Sequence, residues 1–199
     1  MTKDELCKEQ EIFAENDKII LERLSVKYKN EYIDLICEVS QIQKTYDTEE
    51  DRDIILKYSL ESEDLILCII NKENNMLIGQ IMLKNLSNDE PEIGIDISRE
   101  YRRQGYGFQA ISLFIEQLKS IGLIEVCTVR IYLDNIPSQN LFKKFNICEV
   151  EKEDSEFIVA MDTIKEVLGE ETYKMAQENY AEQFSAENKR KIIKYHMFI

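Results

Sequence analysis

Histidine is almost missing from this sequence: there is one, His196. That removes the nucleophile arrangements built on a histidine base, and most zinc-ligand sets. The five cysteines, Cys7, Cys37, Cys68, Cys127 and Cys148, are scattered, with no Cys-x-x-Cys pair. An odd, dispersed set suits separate small thiols in a reducing compartment, not a disulfide framework. No apolar run approaches membrane-spanning length. Met1 to Gln10 is charged and has no apolar centre, so no secretory leader is expected and the expected location is the cytoplasm. Basic residues are the minority, 25 against 39 acidic ones, for a net charge of −14. Such a surface repels phosphate backbones and anionic lipid, so neither nucleic acid nor membrane is expected as a partner. It attracts cations, for instance an amine. Repeats and low-complexity segments are also lacking.

What is present is enough for a packed interior. Hydrophobic residues make up 44% of 199, sufficient for one domain with a proper core and a short appendage. Residues 1–18 read as a polar N-terminal helical segment. Ile19 to Val26 reads as a strand. Tyr28 to Gln43 carries a helical stripe of Tyr32, Leu35, Ile36, Val39 and Ile42. Asp47 or Thr48 then caps a second helix running through Leu60. Leu65–Ile70, Met76–Leu83 and Glu92–Ile97 are apolar runs joined by polar turns, which predicts an antiparallel meander. Gly79 inside the second of these marks a bulge or a close backbone approach.

Ser98 to Phe108 follows the third run and leads into an amphipathic helix with Ile111, Ile115 and Leu118 on one face, stopped by Gly122. Strand, glycine-rich bend and helix start together offer backbone N–H groups to an anion. Gly105 and Gly107 remove Cβ atoms from that approach. Arg102 and Arg103 place positive charge at the same bend of an acidic chain. As a string, Gly105 to Ala110 also matches the Gly-x-Gly-x-x-Ala dinucleotide fingerprint. Seven mostly polar residues, Ser98 to Gln104, separate it from the strand, whereas that fingerprint follows its strand almost directly.

After the helix, Val126 to Leu133 predicts a strand parallel to its predecessor. Pro137 to Phe145 reads as a short helix, with Asn146 as its left-handed cap. Ile147–Val150 and Glu156–Met161 read as a final hairpin. Beyond Asp162, Ile164, Val167 and Leu168 begin one helical stripe, and Tyr173, Ala176, Tyr180 and Phe184 form another. These stripes suit packing on the same domain or on a second copy of the chain.

Arg102-x-x-Gly105-x-Gly107 resembles the pyrophosphate signature of the GCN5-related N-acetyltransferases. Asn135 to Phe145 resembles that family's Asn-x-x-Ala/Ser-x-x-Leu-Tyr/Phe block. The order of elements across about Ile19 to Asp162 is similar as well. The resemblance implies an α/β (α+β) fold: a mixed sheet with an antiparallel N-terminal half and a parallel strand pair splayed around the cofactor, flanked by helices. It places the acetyltransferase domain at 19–162 and leaves a C-terminal helical extension at 163–199.

The resemblance further implies acetyl-coenzyme A as co-substrate, with no metal, and a primary amine of a small molecule or protein N-terminus as acceptor. Ile95 and Ile97 would pair with the pantetheine arm through their backbones. Arg102, Arg103, Gln104, Gly105, Tyr106, Gly107 and Phe108 would hold the pyrophosphate. Asn135 and Phe142 would meet the cofactor near its thiol. Glu92 is the first candidate general base and Asp96 the second. Phe142 stands where many relatives carry a tyrosine acid, so water or a nearby tyrosine, Tyr132 or Tyr106, becomes the candidate donor to the leaving thiolate. The same departure leaves open a module that binds acyl-coenzyme A and does little chemistry.

Overall fold

The computed structural model describes residues 1–8, 10–40, 48–179 and 191–199. The chain separates into two compact units, residues 1–127 with Ile199, and residues 128–198. The class is mixed α/β, as the sequence predicts.

The first unit opens with helix α1 (Lys3–Cys7), held by a capping box between Thr2 and Glu5. Strands β1 (Ile12–Glu15) and β2 (Ile19–Arg23) follow as an antiparallel pair. The sequence reading missed β1 because it is four residues long, with Phe13 as its only buried side chain. Phe13 meets Phe114 at 5.4 Å between ring centroids. Helix α2 (Lys29–Ser40) and helix α3 (Glu49–Glu61) come next. Thr48 caps α3 by accepting from the Asp51 N–H at 3.1 Å. Ile42 and Asp47 lie outside the described residues.

Strands β3 (Leu65–Asn71), β4 (Met76–Lys84) and β5 (Glu92–Ile97) form the expected meander, giving the antiparallel order β1-β2-β3-β4-β5. One face carries Leu24, Cys68 and Ile70 against Tyr32, Ile33, Leu35 and Leu56 of α2 and α3. Helix α4 (Tyr106–Ile121) buries Ala110, Ile111, Phe114, Ile115 and Leu118, and Gly122 closes it in the left-handed conformation at φ +72°.

The second unit holds most of β6 (Val126–Tyr132), then α5 (Ile136–Phe142), β7 (Ile147–Asp154), α6 (Glu156–Leu168), α7 (Glu170–Asn179) and β8 (Lys191–Phe198). Its strand order is β6-β8-β7. The expected hairpin of Ile147–Val150 with Glu156–Met161 does not form: β7 pairs antiparallel with β8, and Glu156–Met161 is helical. The branched residues Ile158 and Val159 suggest a strand, but Ser155 accepts from the Ile158 N–H and nucleates a helix instead. The region after Asp162 is helical to Asn179, and Lys191–Phe198 returns as a strand burying Ile192, Ile193, Tyr195 and Met197. Tyr180 and Phe184 lie outside the described residues.

Candidate active site

The centre of the site is the bend between β5 and α4. Arg99 to Tyr101 forms a single 3-10 turn, Arg102 is extended, and Arg103 and Gly105 take positive φ values of 61° and 87°. The first closed turn of α4 is the bond from the Gln109 N–H to the Gly105 carbonyl, 3.1 Å. No hydrogen bond to a described residue takes the N–H groups of Gly105, Tyr106 and Gly107. These donors sit at the positive end of a 16-residue helix. Left-handed backbone costs a non-glycine residue roughly 1–2 kcal/mol, so Arg103 holds the bend open at an energetic cost.

The two arginines of the bend differ. The Arg102 Nε donates to the Ile97 carbonyl at 2.7 Å, and its Nη2 lies 3.8 Å from Glu38 Oε1. Glu38, near the end of α2, also accepts from the Ser98 hydroxyl at 3.0 Å and from the Arg99 N–H at 2.6 Å. That carboxylate therefore clasps the start of the bend. Arg103 is exposed and makes no ion pair among the described residues. Gln104 donates to the Glu100 carbonyl at 2.6 Å. The Tyr106 hydroxyl accepts from the Asn71 Nδ2 at 3.1 Å, and Tyr101 meets the Tyr106 ring edge-on at 6.0 Å. These contacts tie the bend to the β3–β4 turn. Phe108 is exposed.

On β5 the side chains alternate. Glu92, Gly94 and Asp96 stand opposite Lys84, Met82 and Gln80 of β4. The Ser98 N–H donates to the Ile78 carbonyl. By the two-residue period of an antiparallel ladder, the Ile95 and Ile97 amides then point away from β4. The Ile97 carbonyl is occupied by Arg102, which leaves Ile95 with both backbone groups on that side. Glu92 Oε1 lies 3.4 Å from Lys84 Nζ. Asp96 Oδ2 accepts from Gln80 Nε2 at 2.8 Å, while the buried Gln80 Oε1 has no partner. Leaving such an acceptor unmatched costs about 1–3 kcal/mol.

Gly79 brings β4 and β5 together beside Asp96. A Cβ there would run into the Asp96 carbonyl oxygen and stand 2.9 Å from Ile97 Cδ1. The pairing of β4 with β3 slips by one residue at the same place, which is the bulge that Gly79 predicts.

Burial dominates the titration of the surrounding core. It pushes the Cys68 thiol far above its ordinary value, and the Cys127 thiol up to about 12. It also raises the Tyr32 phenol, whose hydroxyl donates to Ser59 Oγ at 3.2 Å.

In the second unit, Asn135 caps α5, its Oδ1 accepting from the Ser138 N–H at 3.2 Å. Gln139 Nε2 donates to the Leu133 carbonyl at 2.8 Å and steadies the end of β6. Tyr132 is exposed and Phe142 is buried at 3%. Phe142 is thus a core side chain of α5, and it has no proton to give.

Sequence reading missed Glu38 and Gln80. Glu38 has no local signal, because one acid on the polar side of a helix looks like any other. Gln80 did have one: it and Asp96 both interrupt apolar strands of the meander, at facing positions. Among the described residues, no group of three histidine, cysteine or acidic side chains could hold a metal ion, and no helix is long and apolar enough to cross a membrane.

A comparison with protein families covers the meander and the bend together. The model of the acetyltransferase (GNAT) domain matches residues 18–146. The chain belongs to the GNAT acetyltransferase family. No curated protein matches it significantly. Among solved structures, the microcin C7 self-immunity acetyltransferase MccE, in complex with acetyl-CoA and AMP, is 17% identical with a TM-score of 0.63, covering 92% of this chain and 94% of its own. RimL, the ribosomal L7/L12 alpha-N-protein acetyltransferase in an apo form, is 14% identical with a TM-score of 0.62, covering 95% and 94%. A spermidine N-acetyltransferase SpeG chimera from Vibrio cholerae and hSSAT is 14% identical with a TM-score of 0.63, covering 90% and 94%. At these identities the likeness to this GNAT protein is one of fold.

Proposed function

We propose that this GNAT protein transfers an acetyl group from acetyl-coenzyme A to a primary amine of a small molecule or protein N-terminus. The observation that carries the reading is the row of amides at Gly105, Tyr106 and Gly107, beside Arg103, none of which is paired among the described residues. A diphosphate supplies the acceptors that these donors lack. Gln104 and Phe108 flank the row, and Arg102 fixes its entry through Ile97. The likeness in fold to a structure solved with acetyl-CoA supports the same ligand.

Bound acetyl-coenzyme A supplies an activated acetyl group as a thioester. The chain's own groups do the rest. The backbone of Ile95, turned away from β4, pairs with the pantetheine arm and places an N–H donor where charge grows on the carbonyl oxygen. The acceptor arrives as an ammonium ion, drawn by the net charge of −14. It sheds one proton to solvent before attack and a second to a carboxylate during transfer.

Of the two candidate bases, Asp96 fits better than Glu92. Asp96 keeps Oδ1 without a partner among the described residues, whereas Glu92 faces the Lys84 ammonium. The thiol leaves with a reference pKa of about 8.5, so it needs no strong acid. Asn135 caps α5 just beyond the end of β6.

The test is thermal protection by coenzyme A, followed by thiol release from acetyl-coenzyme A with a panel of amines. Protection with turnover supports the reading. Protection without turnover on any amine points to the binding module instead. No protection overturns both.

A further inference from the structure

Gln80 is an expensive choice for its position. It is 4% exposed, on a central strand, between Cys68 of β3 and Asp96 of β5 in register. Its neighbours on β4 are apolar, and a leucine or methionine would fill the same place without an unmatched oxygen. The amide presents its nitrogen to Asp96 and leaves Oε1 sealed from water with no donor. The reverse orientation would set an amide oxygen against a carboxylate oxygen, so the carboxylate fixes the amide and the amide fixes the carboxylate. Gly79 presses the β4 backbone against Asp96 next to this contact, which keeps the two side chains at one separation.

We propose that Gln80 is a positioning residue for Asp96: it holds Oδ2 of the carboxylate so that Oδ1 faces the reacting amine. This rests on the acyl-transfer reading above. The amide N–H fixes the carboxylate's orientation, so that Oδ1 can take the second proton of the amine nitrogen. That proton leaves nitrogen as the nitrogen–carbon bond forms, ends on Oδ1, and passes to solvent once the thiolate has gone. The other ionisable groups on this side of the sheet are Cys68 of β3 and Glu22 of β2 in the same cross-strand row, Lys84 of β4 and Glu92 of β5, Tyr32 of α2, which senses the Asp96 charge, and Glu38 at the end of α2. None of them bonds to Asp96 among the described residues, so the amide is its one direct partner.

The decisive variant is Gln80→Leu in the full chain, with Gln80→Met as a second should leucine fail to fold. A carboxyl-carbon NMR titration reads Asp96 directly and needs no turnover. The pH profile of kcat/KM reads it through the reaction. Removing the donor leaves the Asp96 carboxylate unheld, so the acid limb of the profile moves to higher pH. At pH values below that limb kcat/KM falls about tenfold, while KM for acetyl-coenzyme A stays the same. Thermal stability holds or rises, because an unmatched buried oxygen has been removed. A purely structural glutamine gives the opposite pattern: lost stability with an unmoved limb. An Asp96 titration identical in wild type and Gln80→Leu overturns the proposal, and so does a shifted titration with an unshifted profile. If the wild type acetylates no amine, the transferase reading has failed, and the NMR titration alone decides whether Gln80 governs Asp96.

Discussion

Replacing Gly105 with alanine separates the two things that glycine does in the bend. At φ +87° an alanine is strained by roughly 1–2 kcal/mol. Lower chain entropy in the unfolded state returns about 0.4–1 kcal/mol. Sterics add nothing, because the nearest atom to the new Cβ is Gln109 Nε2 at 3.8 Å. The net loss is therefore about 1 kcal/mol, or about 2–4 °C in Tm for a chain of this size. Binding should suffer more. On the proposed reading the methyl group stands in the way of a diphosphate approaching the amides of Gly105, Tyr106 and Gly107, and one lost charge-assisted bond is worth about 1.5–3 kcal/mol. Coenzyme A affinity then falls by about 10- to 100-fold in calorimetric titration. Gly122→Ala is the control. It carries the same kind of strain at φ +72° at the other end of α4, with its nearest contact at 4.0 Å. It should lose similar stability and no affinity. Unchanged coenzyme A binding in Gly105→Ala refutes the reasoning, and so does equal weakening in both variants.

Gly79→Ala should destabilise for the other reason, overpacking, by about 1–3 kcal/mol in urea unfolding, because its Cβ meets the backbone of β5. An unchanged midpoint would show that the strands can part there. The buried thiols predict weakness in alkali. Cys68 and Cys127 are harder to ionise in the folded chain than at their ordinary value of 9.0, with Cys127 pushed to about 12. Their stabilising effect is complete below pH 9 and declines as pH rises from 9 towards 12. Cys127→Ala should flatten that decline in Tm measured against pH, and an equally steep curve would count against it. Thiol labelling of the native chain should modify Cys148 first, since Cys7, Cys68 and Cys127 are buried; labelling of Cys68 without unfolding would contradict the core described above.

Much of the fold was legible because period and punctuation agree. The meander from Leu65 to Ile97 carries apolar strands separated by asparagine-rich turns, and α4 carries a helical stripe ended by Gly122. The bend was legible because Gly105 needs a positive φ that few residues tolerate. Partnership between distant segments was not. The sequence around Glu156 supports either a helix or a strand, and only the competing edge, Lys191–Phe198, shows why β7 did not pair with it. Glu38 and Ser98 lie 60 positions apart, and no local pattern joins them. Gln80 and Asp96 were visible as two separate interruptions, but their contact depends on the β4–β5 register, which no local pattern in either strand states.

That late pairing partner shapes how the chain comes into being. Asp154 and Lys191, joined at one end of the β7–β8 ladder, are 37 positions apart. At a synthesis rate of about 5–20 residues per second, β7 waits about 2–7 s for its partner to be made. All three strands of the meander are made by Ile97 and can begin to pair while translation continues. During the wait, the charges of Glu149, Glu151, Lys152, Glu153 and Asp154 keep an unpaired β7 from recruiting a neighbouring nascent chain. The carboxylates that pair with lysines along the finished ladder thus also guard it while it is still incomplete.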